Sequence, residues 1–233
     1  MTSAKDRFKS RILEYLLPQF CDDPYRGWGS EGFRPNWDKV SERDADDFLK
    51  ALDAGLVKHL ERGLYRAPQS KASEQFFWSV GRDKTPRPIS IWIEPIITIA
   101  ALARLHFQFG WPPELLGTQS RDWAFDVTAF QPNDMTNERI ACEVKKATSE
   151  VDYLVEAMIL FGQRQAPTVA DNLPNKDVNA LRKMNALRKR RVPVFWVLGP
   201  DSYSRLFRVQ YDDENVIFDP VSENSLRFET STS

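Results

Sequence analysis

Apolar residues first recur at helical spacing in Phe8, Ile12, Tyr15 and Leu16, behind a Ser3/Asp6 start signal and ahead of Pro18. This predicts an amphipathic helix that stops at the proline. A second helix is expected to open at Ser41 with Asp44, to carry Ala45, Phe48, Leu49, Leu52, Leu56 and Leu60 on one face, and to close at Gly63. Its acids Asp46, Asp47 and Asp53 read as a solvated face. The intervening stretch is rich in Gly, Pro and aromatics and reads as an ordered loop. Trp28, Phe33 and Trp37 there pin the loop to the core or offer surfaces for stacking bases, and pinning is the favoured reading.

After a polar connection with Pro86 and Pro88 the pattern changes to helix, strand, strand, helix, helix, strand. The segments are Glu94 to Phe109, Trp123 to Phe130, Arg139 to Lys145, Glu150 to Gln163, Lys176 to Arg190 and Val192 to Leu198. This alternation predicts an α/β core over 89–200, preceded by a mostly helical extension over 1–88. Two further strands, Leu206 to Tyr211 and Asn215 to Asp219, flank a turn at Asp212 to Glu214 and predict a C-terminal β-hairpin within 201–233, ending in a frayed polar tail. The most apolar stretch, Ile89 to Phe109, is interrupted by Glu94, Pro95, Arg104 and His106, so it reads as a buried helix and not as a membrane span.

Composition adds bounds more than direction. The 32 basic and 33 acidic residues nearly cancel, so a nucleic-acid partner would have to be held by a local patch. Cys21, Cys142, His59 and His106 have no zinc-ligand spacing, and Cys142 falls in an apolar strand where a thiol is a small buried hydrophobe. The first residues scatter charge among apolar positions, unlike a signal peptide, so a soluble cytoplasmic protein is expected.

The candidate chemistry lies on the two central strands. If the turn between them centres on Asp134 and Met135, facing residues have numbers that sum to 269, and Asp126 stands opposite Glu143. The period of two puts Asp122, Ala124, Asp126 and Thr128 on one side with Ala141, Glu143 and Lys145, and leaves Trp123, Phe125 and Val127 with Ile140, Cys142 and Val144 on the apolar side. Two carboxylates about 4 Å apart repel by roughly 4 kcal/mol at an effective dielectric near 20, so the pair asks for a shared proton or a cation. A hard cation such as Mg²⁺, with Mn²⁺ as its substitute, would meet that need, and Lys145 could orient or help deprotonate the attacking water. A bland alternative is an exposed hairpin face on which the acids pair with Lys145 or Lys146.

Asp126, a hairpin and then Glu143-Val144-Lys145 resemble the D…(D/E)-x-K signature of the PD-(D/E)XK nuclease superfamily. The only departure noted is Phe125 where the family often has proline. The resemblance covers roughly residues 91 to 198. It implies a restriction-endonuclease-like core with a central mixed β-sheet flanked by helices, and metal-dependent phosphodiester hydrolysis. DNA is the expected substrate, with a restriction, defence or mobile-element role. It also implies a metal ligand at the carbonyl of Val144, a further acid at Glu94 and assistance from Gln163, although Gln163 reads more simply as an ordinary helix end. Asp122 ranks behind Asp126 as the primary acid.

The helix from Lys176 to Arg191 carries seven basic side chains against Asp177 alone. Arg182, Lys183, Arg188 and Lys189 are the expected phosphate contacts, while Leu181, Met184 and Leu187 would hold the helix on the core. A homodimer or a partner subunit is left open. The rival reading is a non-catalytic nucleic-acid-binding or scaffold module on the same fold, which would bind without cleaving.

Overall fold

The structure is a computed structural model, described here for residues 2–22, 28–81, 83–132, 134–163, 173–212 and 215–229. Helix α1 (Ala4–Arg11) starts where expected, with the Ser3 hydroxyl accepting from the backbone N–H of Asp6 at 3.1 Å. It does not stop at Pro18. A π turn over Ile12–Leu16 leads into a further helical segment, Leu17–Cys21, in whose first turn the proline sits. The π turn just before it loosens the ladder at the point where the proline has no N–H to donate.

Helix α2 (Glu42–Asp53) is capped in the same way by Ser41, but it ends well before Gly63. Gly55 takes a φ of 65° just past its end, a left-handed conformation that glycine adopts without steric cost. Leu56 is therefore buried outside the helix, and Leu60 belongs to a short strand, Lys58–Leu60. The chain over 58–91 forms a three-stranded sheet, Lys58–Leu60, Leu64–Arg66 and Glu74–Gln75, and a two-stranded one, Phe77–Ser79 with Ile89–Ile91. The region expected to be mostly helical is thus a mixture. Within it, Phe33 is buried and Trp28 and Trp37 pack on the core, so the aromatic loop is pinned as expected.

Helix α3 (Ile93–Ala103) continues through a second π turn, Arg104–Gln108. Among the described residues, no helix is long and apolar enough to cross a membrane.

Among the described residues, six strands form the central mixed sheet of an α/β fold: β1 (Leu116–Thr118), β2 (Val127–Gln131), β3 (Asp134–Val144), β4 (Val194–Leu198), β5 (Ser204–Tyr211) and β6 (Val216–Pro220). They lie in the spatial order β6-β5-β4-β3-β2-β1. Only β3 and β4 run parallel; the other neighbours are antiparallel. The C-terminal hairpin is therefore continuous with the main sheet. The tail expected to fray, 230–233, lies outside the described residues, as does most of the turn over 212–214.

The parallel pair needs a crossover, which α4 (Thr148–Gly162) and α5 (Asn175–Arg190) supply. These helices cover the face on which the acids and Lys145 were expected to gather. One face packs Val127, Ile140, Cys142, Val144 and Trp196 against the N-terminal helices. The other packs Ala141, Phe195 and Val197 against α4 and α5, through Val151, Leu154 and Met158 on one and Leu181, Met184 and Leu187 on the other. Both faces are apolar core, because covering helices bury whatever a crossover lays them on.

Candidate active site

The β2–β3 register has the expected sum at Val127↔Cys142, Thr128↔Ala141 and Ala129↔Ile140. The first strand is shorter than expected, however. Residues 121–123 form a 3₁₀ turn in which Asp122 and Trp123 have φ of 59° and 53°. The face assignment by twos therefore fails before Val127. Trp123 is 68% exposed, not core, and Phe125 is buried under α4 and α5. Asp122 points away to within 3.7 Å of Arg190 and does not join the site.

Asp126 sits just before β2. Its N–H donates to the carbonyl of Cys142 at 2.9 Å, and its Oδ2 accepts the Val144 N–H at 2.8 Å. The side chain thus replaces a main-chain acceptor at the end of the ladder, which fixes it beside Glu143. Glu143 is only 3% exposed. The Lys145 ammonium donates to its Oε1 at 2.5 Å, and the Lys183 ammonium donates to its Oε2 at 2.6 Å and to the carbonyl of Ala124 at 3.0 Å. Two carboxylates and two ammonium groups therefore meet at the C-terminal end of β3.

The electrostatics divide the two acids. Burial raises the Asp126 carboxyl and the neighbouring Glu143 charge raises it further, to about 8, against the pull of Lys183 and Lys145. Burial also opposes the charge on Glu143, but there Lys183 and Lys145 prevail and hold its pKa below the usual value. Burial weakens the Lys145 ammonium, yet Glu143 and Asp126 outweigh it and raise its pKa. Glu143 is the committed anion, and Asp126 the group whose charge waits for more positive charge nearby.

Glu94, in the first turn of α3, is half-buried and lines a cleft of about 470 Å³ together with Lys145, Lys146, Tyr153, Lys176 and Lys183. Its carboxyl is raised by burial first; Lys145 pulls it down and Glu143 pushes it up. Among the described residues, no group of three or more His, Cys, Asp or Glu side chains lies close enough together to hold a metal ion. No family model, curated protein or solved structure matches the chain.

Other expectations have different outcomes. Gln163 caps the far end of α4, whereas Ser149, Glu150 and Tyr153 near its start line the cleft. A helix of this length spans about 22 Å, so Gln163 is not brought to the site. In α5, Leu181, Met184 and Leu187 are buried as expected, but the basic side chains are mostly engaged within the protein. Arg182 donates to the Asp122 carbonyl, Lys183 to Glu143, and Arg188 to the Phe161 carbonyl at 2.8 Å. Of the four named phosphate contacts, Lys189 alone makes no such bond among the described residues.

Two buried acids had no motif to announce them. Glu74 accepts from the Gln119 amide at 2.9 Å and is raised to about 7, by burial first and also by Glu94. Glu138 is buried against Arg190 at 3.0 Å. The position of Lys183 had a legible signal: it follows Ala180 by three and precedes Leu187 by four, at the edge of the buried stripe.

Proposed function

We propose that this chain is a metal-dependent nuclease of the PD-(D/E)XK kind, hydrolysing phosphodiester bonds, with DNA as the substrate class, on a restriction-endonuclease-like core. The observation that carries this reading is the convergence of Asp126, Glu143 and Lys145 at one end of two adjacent strands, beside a cleft that Lys145, Glu94 and three further lysines line.

The donor set suits a hard cation. Two carboxylates stand together, and the repulsion that raises the proton affinity of Asp126 equally favours Mg²⁺ or Mn²⁺. Asp126 and Glu143 would hold the ion, with the Val144 carbonyl as the ligand implied by the resemblance. Once bound, the ion supplies stabilisation for charge on the phosphate and a water that deprotonates more readily. Each Glu143 oxygen accepts from one ammonium group, so the ion would take a remaining lone pair or the place of Lys183 or Lys145.

The side chains have separable duties. Glu143 keeps its negative charge and anchors Lys145. Lys145, 22% exposed at its side chain, can orient a water or balance a phosphate oxygen at the mouth of the cleft. Lys146 and Lys176 add positive charge along the cleft wall, where a polyanionic backbone would lie. Glu94 can hold a proton close to the reacting groups, since burial favours its neutral form.

The double engagement of Glu143 by lysines favours one other reading, a nucleic-acid-binding module in which this cluster is structural. The discriminating experiment incubates purified protein with plasmid, linear duplex and single strands, in Mg²⁺, in Mn²⁺ and in chelator, beside Asp126→Asn and Glu143→Gln. Cleavage that needs metal and is lost in both variants supports the nuclease. Binding without cleavage under every condition supports the module.

A further inference from the structure

A second basic concavity lies midway along β3. The β2–β3 ladder slips there: Ala129↔Ile140 is followed by Phe130↔Glu138, so Arg139 is an extra residue in the strand. Such a bulge bends the strand and re-aims the side chain it carries. Glu138 turns into the α5 side to meet Arg190. Arg139 is left half-buried at a groove of about 400 Å³, which Arg208 of β5 and Arg227 of the C-terminal segment also line.

The sheet itself brings the first two together. Val194 pairs with Ile140 on one side and with Arg208 on the other, so Arg208 is two strands away, in the row next to Arg139. Arg208 and Arg227 are exposed. Among the described residues, none of these three arginines forms an ion pair, and Arg227 is tied only to the Asn224 amide oxygen at 3.5 Å. One carboxylate, Glu229, also lines the groove. Asp219 of β6 stands opposite Arg208 in register and is held by the Gln210 amide, so three guanidinium groups have two acids near them and a positive surplus remains. The arrangement is relieved by a multiply charged anion, and a planar fork of N–H donors fits phosphate oxygens better than any other common group.

We infer that this groove is a binding site for phosphate groups, separate from the acidic cluster. Four strand residues, about 13 Å, separate Arg139 from Glu143, and the inference does not rest on the nuclease reading. The phosphates belong either to a nucleic-acid backbone or to a small phosphorylated molecule, and the two sources are distinguishable.

The test is equilibrium titration of the full chain in chelator, so that no metal is bound, with pyrophosphate in one arm and labelled single-stranded and duplex oligonucleotides in the other. The proteins are wild type, Arg208→Gln with Arg227→Gln, the triple variant that adds Arg139→Gln, and Lys189→Gln as the control. Each lost arginine contact should weaken binding about tenfold. In the oligonucleotide arm it should also reduce the log-log salt slope by roughly 0.7 to 0.9. Loss confined to pyrophosphate identifies a small phosphorylated ligand, and loss confined to oligonucleotide identifies a backbone. If the wild type binds neither, or if the double variant, melting like wild type, binds both unchanged, the inference is overturned. Should the bulge substitution unfold the chain, the double variant alone decides. Because Asp126 and Glu143 are untouched and metal is absent, the result is independent of whether the protein cleaves anything.

Discussion

Glu138 and Glu143 lie on the same strand, both nearly inaccessible, and each meets a cation from the same helix: Arg190 for one and Lys183 for the other, two turns apart. They differ in what surrounds the pair. Glu138 has a guanidinium that is itself satisfied by the Ser120 hydroxyl and the Arg121 carbonyl. Glu143 shares its position with a second carboxylate and a second ammonium, and the lysines that hold it also line a cleft. A buried ion pair in isolation braces the fold. Surplus charge of both signs beside a cleft is instead poised to exchange partners, and it is the exchange that chemistry would use.

Removing each glutamate should separate the two roles most sharply. Under the nuclease reading, Glu143→Gln is expected to lower single-turnover cleavage on the order of a thousandfold, in the range of lost transition-state electrostatics, and to leave a folded protein. Glu138→Ala should do the reverse. Leaving Arg190 buried without its carboxylate costs about 3–5 kcal/mol, read by urea denaturation, while cleavage by the remaining folded fraction stays within a few-fold of wild type. Equal loss of activity in both, after correction for the folded fraction, would erase the distinction.

Lys183→Met sharpens the comparison at the next level. It releases one Glu143 oxygen, so Mg²⁺ affinity measured by calorimetry should rise about tenfold if Lys183 stands where the ion binds. Stability without metal should fall. Glu143 has a depressed pKa in the folded chain, so its contribution is present above its unfolded pKa and is lost as pH falls through the folded one. Weakening the lysine partnership should move that loss to higher pH, which a series of melts between pH 3 and 6 would resolve.

Asp126 carries the opposite sign. Its raised pKa means that the folded chain binds the proton more tightly than the unfolded chain does. The associated stability is full below the unfolded carboxylate range and is lost as pH rises through about 8. Asp126→Asn removes this dependence, so without metal it should melt higher than wild type at pH 9 and gain less at pH 5. Each kcal/mol relieved corresponds to about 2–4 °C for a chain of this size. A gain that is the same at both pH values would mean that Asp126 is charged throughout.

Sequence made the local parts of this arrangement legible. The caps at Ser3 and Ser41, the β2–β3 register, the limits of α4 and α5 and the apolar stripe of α5 all follow from side-chain type at short spacing. The failures come mostly from tertiary contact. The acids and Lys145 were expected to gather on one face of the hairpin, but nothing along the chain reveals that β3 and β4 are parallel neighbours, and only that pairing puts α4 and α5 over Glu143. Lys183 was assigned outward because its charge outweighed its place beside the stripe. Asp122 and Trp123 were read as strand because their left-handed backbone has no composition signal in the absence of glycine.

The smallest effects are expected at three positions weighed for function that the structure leaves in solvent. Asp122→Asn, Gln163→Ala and Lys189→Ala each change an exposed side chain. Substitutions of this kind fall within about 0.5 kcal/mol of neutral. Asp122 approaches Arg190 at 3.7 Å, but with 69% of its side chain in water the pair is screened and Arg190 keeps Glu138. Gln163 is separated from the cleft by the length of α4. Lys189 is the informative member of the three, because among the described residues it is the only one of the four expected phosphate contacts in α5 that is not engaged within the protein. If the nucleic acid lies in the cleft lined by Lys145, Lys146 and Lys176, losing Lys189 should change duplex affinity in Ca²⁺ by less than about twofold, with an unchanged salt slope. Lys146→Ala with Lys176→Ala should instead reduce that slope by roughly 0.9 per contact. A larger slope change from Lys189 than from the cleft pair would move the nucleic-acid path off the cleft and onto the outer face of α5, which would also separate Glu143 from any substrate phosphate.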